Sequence, residues 1–192
     1  MGHPTRGPPV DAISTGCVSC GKRGRHMYEV GEYIVHPGQG VCKIDSVVKA
    51  PEPTYMLLPV TSTHGMKISF PVANEDRLRP VLSGDEARAI IDEYPAMEPE
   101  THTERSNALE EQYYKEEIRN GDCRDSVRIM KTIELRVADL KERGKRPPVA
   151  YERVLKRATE RALSELAVAL DMTQEDVQAL FRTAVGEDPT NN

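Results

Sequence analysis

The fold of this chain is decided by the stretch Tyr28-Glu-Val-Gly-Glu-Tyr-Ile-Val-His-Pro-Gly-Gln-Gly-Val41. Aromatic and β-branched residues lead into Pro37-Gly-Gln-Gly40, and valine resumes directly after it. Proline holds φ at about −65° and glycine permits φ > 0, so these four residues can reverse the chain tightly. The stretch therefore predicts two strands joined by a short turn.

Two further strand-like runs follow, from Tyr55 to Val60 and from Met66 to Val72. In the second run apolar residues alternate with polar residues or proline, which is typical of a half-buried strand. Pro59 and Pro71 restrict these strands to sheet edges or strand ends, because proline cannot donate to a ladder. The pattern predicts a small β-barrel over residues 27–81, with a free edge that can accept a partner strand.

After the barrel the apolar spacing becomes helical. Ser83-Gly-Asp-Glu86 is typical of a capping box, and Pro95 ends the helix that it opens. The apolar stripes of the later helices, which include Leu109 and Leu180, are expected to point inward and form a bundle over residues 82–186. Those later helices are predicted at about 105–119, 122–143, 149–170 and from Thr173 onward. The predicted fold class is thus α+β in two domains, an N-terminal β-barrel and a C-terminal all-α helical bundle.

The charge of the helical half is segregated along the chain. Residues 75–117 hold thirteen Asp or Glu and five Lys or Arg, whereas residues 119–161 hold thirteen Lys or Arg and seven Asp or Glu. A basic face of this kind concentrates near phosphates, so the segregation favours a nucleic-acid-facing half. The alternative interpretation is a solvated helical surface with internal ion pairs.

Composition narrows the class of protein further. Of the 192 residues 30% are charged, and no apolar run approaches the roughly 20 residues that span a bilayer. The N-terminus also lacks the apolar core of a signal peptide. The chain is therefore expected to be cytoplasmic, with no membrane contact and with its four cysteines reduced.

Residues 1–26 have the composition of a disordered leader, and residues 187–192 that of a short tail. The spacing of Cys17-Val-Ser-Cys20 is that of half a zinc site, but no second pair of ligands follows, so we expect no metal. A redox role has no support, since no thioredoxin-like pattern surrounds the pair. An alternative hypothesis is that translation begins at Met27, where the patterned features start.

No enzyme class finds support in the sequence. A glycine-rich phosphate loop, a nucleophile elbow and an HExxH motif are all missing from it. The predicted role is therefore non-enzymatic, with no cofactor.

Several motifs resemble, in order, the CarD family of bacterial transcription regulators. They are Tyr28-x-Val-Gly-Glu-x-x-Val-x-Pro-x-x-Gly40-Val, Tyr55-x-x-Leu-x-Val60, Phe70-Pro-Val-x-Asn74, Gly121-Asp122, Glu142-Arg-Gly144 and Arg153-x-Leu155-x-x-Ala158. The barrel part is also similar to the polymerase-interacting domain of transcription-repair coupling factors. The likeness runs over roughly residues 27–185.

The resemblance implies a Tudor-like (SH3-like) barrel that binds the β subunit of bacterial RNA polymerase. It also implies a helical domain that contacts promoter DNA without reading its sequence and modulates the stability of the open complex. Such a protein is expected to be a monomer that associates with the nucleoid through its binding to RNA polymerase. An alternative is an adaptor whose helical half binds a protein instead of DNA, which the acidic residues around Glu110 and a missing tryptophan favour.

Candidate site residues follow from the exposed faces and from the resemblance. The polymerase contact is predicted to include Lys49, Lys67, Ile68 and Ser69, although the family's arginine at the Ser69 position is missing. Phosphate contacts are expected from basic residues outside the apolar stripes, two of which match basic positions of the family, Arg153 and Arg157. The full predicted DNA-binding set is Arg124, Arg128, Lys145, Arg146, Arg153, Lys156 and Arg157.

One departure from the family concerns the DNA contact. Many members carry a tryptophan that wedges into the minor groove beside the bubble, and this chain has no tryptophan. Counting back from Asp122 puts Asn107 at that position, whereas alignment on Tyr113 puts Leu109 there. In both registers Glu110 and its neighbour would lie near the phosphate backbone and repel it. We therefore expect weaker trapping of the open complex.

Overall fold

The computed structural model of the chain describes residues 28–49, 51–62 and 65–186. The predictions for the 1–26 leader, for Cys17 and Cys20 and for the 187–192 tail lie outside these residues. The first part of the fold is a five-stranded antiparallel sheet in the order β4-β3-β2-β1-β5. Its strands are β1 (Tyr33–His36), β2 (Gly40–Val48), β3 (Thr54–Pro59), β4 (Ile68–Pro71) and β5 (Arg79–Pro80).

The predicted turn joins β1 to β2. His36 pairs with Gly40, whose φ of 79° lies in the left-handed region that glycine adopts without strain. The Nδ1 atom of His36 accepts hydrogen bonds from the backbone nitrogens of Gly38 at 3.0 Å and Gln39 at 3.2 Å. The turn is thus closed by its own side chain, and the strand–turn–strand prediction is confirmed.

The inner faces of the strands form a small core. Its buried residues are Ile34, Cys42, Ile44, Tyr55, Leu57, Phe70 and Leu78. As predicted, Pro59 and Pro71 are the last residues of β3 and β4, where a missing backbone donor costs no ladder hydrogen bond. A 3₁₀ segment, Val72–Arg77, connects β4 to β5.

The second part of the fold consists of five α-helices. They are α1 (Gly84–Glu93), α2 (Asn107–Asn120), α3 (Cys123–Glu142), α4 (Val149–Leu170) and α5 (Gln174–Ala184). Ser83, Asp122 and Thr173 each form a capping box, which satisfies backbone N–H groups at the start of α1, α3 and α5. Helix α4 packs against all four other helices and against β2, so it is the centre of the bundle. The predicted α+β fold is confirmed.

Two apolar residues predicted to point inward are exposed instead. Leu109 on α2 is 50% exposed and Leu180 on α5 is 36% exposed. The buried stripe of α2 runs through Glu110, Tyr114 and Ile118, which lie one helical turn apart from each other. Tyr114 is fully buried at the centre of this stripe, so the buried face of α2 is not the one on which Leu109 lies.

A buried ion pair joins the barrel to the bundle. The guanidinium of Arg79 on β5 donates to both carboxylate oxygens of Glu165 on α4, at 2.5 and 2.8 Å. The Glu165 side chain is fully buried. Nearby, Arg161 of α4 donates to the backbone oxygen of His36 at 3.0 Å. Two arginines from different halves therefore attach α4 to β1 and β5.

Candidate docking and nucleic-acid interfaces

The outermost strand, β4, has an open edge. Val72, directly after β4, donates to the backbone oxygen of Pro53 at 2.9 Å. Phe70 and Ile68 follow at two-residue intervals and pair with β3 in the same register, so their backbone groups also face β3. The N–H and C=O of Ser69 point the other way, and no strand lies beyond β4 in the described sheet. This edge can accept a partner strand.

The four predicted docking residues do not share one face. Lys67 and Ser69 are exposed, whereas Ile68 is partly buried against the barrel core. Lys49 follows β2, whose last residue pairs through β3 with the far end of β4. The structure thus brings Lys67 and Ser69 together and places Lys49 at the opposite end of the edge.

Lys67 is already engaged in an ion pair. Its Nζ donates to the carboxylate of Asp45 at 2.6 Å, and this hydrogen bond lowers the pKa of Asp45. Asp45 sits at the irregularity of β2 between Ile44 and Ser46, where the register shifts by one residue. The bulge turns the carboxylate toward the outer face. The docking surface therefore carries a charge pair rather than a bare lysine.

An apolar groove that the sequence analysis missed lies beside this edge. A cavity of about 450 Å³ is lined by Val48, Pro51, Glu52, Thr54 and Met56. Val48 is 45% exposed, and Met66 just before β4 is 68% exposed. The outward positions of β2 and β3 would have indicated this groove, because residues two apart share a face of a strand.

The predicted DNA-binding residues fall into two groups. Arg124 and Arg128 lie near the start of α3, and carboxylates hold both. Arg124 pairs with Glu93, and Arg128 lies 2.9 Å from Asp125 and 3.5 Å from a carboxylate oxygen of residue 100. Since α3 has 20 residues, the α3–α4 turn is about 30 Å away. The structure therefore places these two arginines far from Lys145 and Arg146 in the turn, and both are already engaged in ion pairs.

The remaining five residues form one exposed basic surface. Lys145 and Arg146 lie in the α3–α4 turn, and Arg153, Lys156 and Arg157 lie on the first half of α4. The side chains of Arg153 and Lys156 are 66% and 77% exposed. We call these five residues the α4 basic surface. The ion pairs of Arg153 with Glu111 at 3.6 Å and of Lys156 with Glu160 at 3.8 Å are long, so these exposed side chains can still reach phosphates.

Both candidate wedge positions lie on the first turn of α2. Ser106 caps this turn by accepting from the backbone nitrogen of Leu109, and Asn107 and Leu109 are both exposed. Leu109 presents the larger apolar surface, with half of its area open to solvent. Both candidate side chains, Asn107 and Leu109, are therefore sterically accessible to a partner.

The expected repulsion by Glu110 and Glu111 is not present. Glu110 is 5% exposed, and its carboxylate accepts from Arg136 at 2.5 Å and from the Tyr151 hydroxyl at 3.1 Å. Glu111 is 9% exposed and lies 2.5 Å from Lys115. The prediction was wrong because the α2 register turns both carboxylates toward cationic partners on α2, α3 and α4.

The buried cysteines offer no reactive thiol. Burial raises the pKa of Cys42 to about 11 and also raises the pKa of Cys123, so neither is a thiolate near neutral pH. Within the described ranges no group of three or more His, Cys, Asp or Glu could hold a metal ion. Among the helices of the same residues, none is both long and apolar enough to cross a bilayer.

Comparison with known proteins identifies the barrel. The family model of the CarD-like/TRCF RID domain matches residues 28–82, which covers all five strands and ends just before α1. No curated protein matches the chain. The N-terminal region is thus a CarD-like/TRCF RID domain, which implies an RNA-polymerase-interacting transcription factor of a typically non-enzymatic regulator family.

Proposed function

We propose that this chain, with its CarD-like/TRCF RID domain, binds the β subunit of RNA polymerase through the edge of β4. The observation that carries the proposal is the outward-facing backbone of Ser69 on the open edge of β4, whose other side pairs with β3. Main-chain hydrogen bonds supply affinity in strand addition, and side-chain pockets supply specificity. The groove around Met56 offers such a pocket beside the edge. On the β4 edge, Lys67 and Ser69 are the contact residues, and Lys49 lies at the opposite end of that edge.

Replacing Ser69 by proline tests this mode of docking. Proline removes the one outward N–H while leaving the β3–β4 ladder intact, because the Ser69 nitrogen does not face β3. We expect affinity of the full chain for its own polymerase β subunit to fall tenfold or more, measured by titration calorimetry. The matched control, Ser69→Ala, loses the hydroxyl but keeps the N–H and should bind like the parent.

Equal affinity of the proline and alanine variants, with both folded by circular dichroism, would sink the strand-addition proposal. The variant with Lys67→Glu and Ser69→Glu examines the side chains of the same surface. It should weaken binding because it breaks the pair with Asp45 and places two carboxylates on the edge. If it alone weakens binding, the contact is made by side chains and not by the backbone.

For the helical half we propose contact with the promoter backbone through the α4 basic surface. Arg153 and Lys156 have carboxylate partners at 3.6 and 3.8 Å but are 66% and 77% exposed, whereas the side chain of Arg128 is 32% exposed. Arg124 and Arg128 are left out of the interface, since their charge is already neutralised. The five residues supply affinity without sequence information, which suits a factor that acts at many promoters.

Leu109 is proposed as the apolar contact at the position of the family's wedge. Its helix turn is attached to α4 by the Glu110–Tyr151 hydrogen bond and by Arg153, which lies 3.6 Å from Glu111. Leu109 therefore lies close to the α4 basic surface. An apolar side chain beside phosphate-binding residues can rest against unstacked bases at a bubble edge.

Two single variants separate the basic and apolar contributions to DNA binding. Arg153→Gln should lower the slope of log affinity against log salt by about one, since one phosphate contact is lost. Leu109→Ala should leave that slope unchanged and reduce the preference for forked over duplex DNA. The matched control, Arg88→Gln on α1, should change neither quantity. Filter binding of the full chain at several salt concentrations measures both.

An unchanged salt slope in Arg153→Gln would mean that the α4 basic surface is only solvated. The alternative role, an adaptor whose helical half binds a protein, was favoured by the acidic residues around Glu110 and by the missing tryptophan. The Glu110 carboxylate faces Arg136 and is not available to a partner. Failure of the parent chain to bind forked DNA at low salt would nevertheless favour the adaptor.

A further inference from the structure

Two adjoining cavities lie at the junction between the barrel and the helical bundle. Their volumes are about 210 and 340 Å³, and Pro37, Arg119 and Arg161 line both. We call the pair the junction cleft. The barrel contributes the β1–β2 turn and the end of the 3₁₀ segment, and the bundle contributes the end of α2 and the middle of α4.

Positive charge dominates the lining of the junction cleft. The only carboxylates among its described lining residues are Asp76 and Glu160, and Glu160 also lies 3.8 Å from Lys156 outside the cleft. The basic lining residues are Arg77, Arg79, Lys115, Arg119, Arg157 and Arg161. The excess of cations faces a half-open space between the sheet and the helical bundle.

Two of these six cations form ion pairs and a third is hydrogen-bonded to the backbone. Arg79 is held by Glu165, and Lys115 lies 2.5 Å from Glu111. Arg161 donates to a backbone oxygen of His36. In the part of the chain that the structure describes, no ion pair is formed by Arg77, Arg119 or Arg157. Three unpaired guanidinium groups thus converge on the cleft from both domains.

The pKa of His36 responds to the positive charge of the junction cleft. The imidazole lies at the cleft end of β1, with its Nδ1 occupied by the turn backbone. Burial lowers its pKa, and the charges of Arg77, Arg161 and Arg119 lower it further. The three arginines whose charges act on His36 all line the cleft.

We propose that the junction cleft binds a small oligophosphate anion of the pyrophosphate class. Guanidinium groups donate two parallel hydrogen bonds to phosphate oxygens, and three unpaired groups match an ion that carries several charges. Cavities of a few hundred Å³ are of the size that encloses small ligands. A duplex is convex and rigid, and the exposed α4 basic surface suits it better than a concave cleft does.

Binding there would couple the two domains. Arg77 belongs to the barrel, whereas Arg119 and Arg157 belong to the bundle. An anion that bridges them binds only when the domains are docked, so it stabilises the docked arrangement. The proposal does not depend on polymerase or DNA binding, and its failure would leave both untouched.

The test is a titration of the full chain with inorganic pyrophosphate, followed by NMR of the His36 ring. Bound pyrophosphate places negative charge beside His36, so its pKa should rise, and the thermal midpoint should rise with it. In Arg119→Gln the His36 pKa should start higher than in the parent and change little on titration. The control Arg143→Gln removes an equal charge at the distant end of α3 and should respond like the parent.

Each remaining outcome overturns the assignment. No shift of the His36 pKa at millimolar pyrophosphate and low salt would remove the site. If Arg119→Gln and Arg143→Gln reduced the pyrophosphate-induced rise of the His36 pKa equally, the effect would be unspecific charge screening. An equal response to sulfate would refute the oligophosphate class. A His36 shift produced by duplex DNA and not by pyrophosphate would assign the cleft to the DNA path.

Discussion

Replacing Arg79 by alanine is expected to lower the free energy of unfolding by about 3–5 kcal/mol. The reason is that the buried Glu165 carboxylate would lose its cationic partner. This carboxylate is fully buried in α4, and both of its oxygens depend on the Arg79 guanidinium. Without the arginine an uncompensated charge would remain inside the domain junction. Urea denaturation followed by circular dichroism measures the loss.

Two control variants separate this mechanism from a general effect of losing an arginine. Arg88→Ala removes an exposed arginine whose partner, Asp85, is fully exposed, and should cost less than about 1 kcal/mol. Replacing both Arg79 and Glu165 by apolar residues of similar size should recover most of the stability, because no buried charge is left unpaired. A double variant as unstable as Arg79→Ala would contradict the argument.

Arg136→Ala is expected to lower the free energy of unfolding by about 3–4 kcal/mol. The physical reason is again a buried carboxylate, here that of Glu110, left without its counter-charge. Arg136 lies 2.5 Å from the buried carboxylate of Glu110. It also donates to the backbone oxygens of Glu100 at 3.1 Å and His102 at 2.7 Å. One side chain on α3 thus holds both the first turn of α2 and the segment before it.

The loss of the Arg136 contacts should also affect the proposed DNA interface, because Leu109 lies on the helical turn that Arg136 stabilises. We expect Arg136→Ala to reduce the preference for forked DNA while the full chain still binds the polymerase β subunit. Arg143→Ala is the matched control, since its pair with Asp139 is exposed and should contribute less than about 1 kcal/mol. A full-strength fork preference in a measurably destabilised Arg136→Ala would refute the link to Leu109.

Much of the fold could be predicted because its signals are local. The turn at Pro37 and the prolines at the ends of β3 and β4 follow from backbone geometry within a few residues. The capping box at Ser83 and the bounds of α4, Val149–Leu170, were also predicted correctly. Propensity, capping and periodicity act between neighbours in the chain, so they can be deduced without knowing the packing.

The candidate sites were predicted only in part. The edge position of β4 followed from Pro71 and the alternation before it, whereas the groove at Met56 needed the pairing of β2 with β3. The basic residues were found from composition, but their division into a paired group and an exposed group depended on the carboxylates that α1 and the segment after it place beside Arg124 and Arg128. Sequence identifies which side chains are charged and cannot tell which of them already have a partner.

The sequence by itself determined the order of the first four strands and of the helices, the turn at Pro37 and the start of each capped helix, because these depend on interactions between near neighbours. Only the tertiary structure decided that Glu110 faces inward and that Leu109 faces solvent. It also decided that Arg79 meets Glu165, 86 residues away along the chain. Partners at such separations are chosen by how whole elements pack, since burial of a charge is tolerated only where packing supplies its counter-charge.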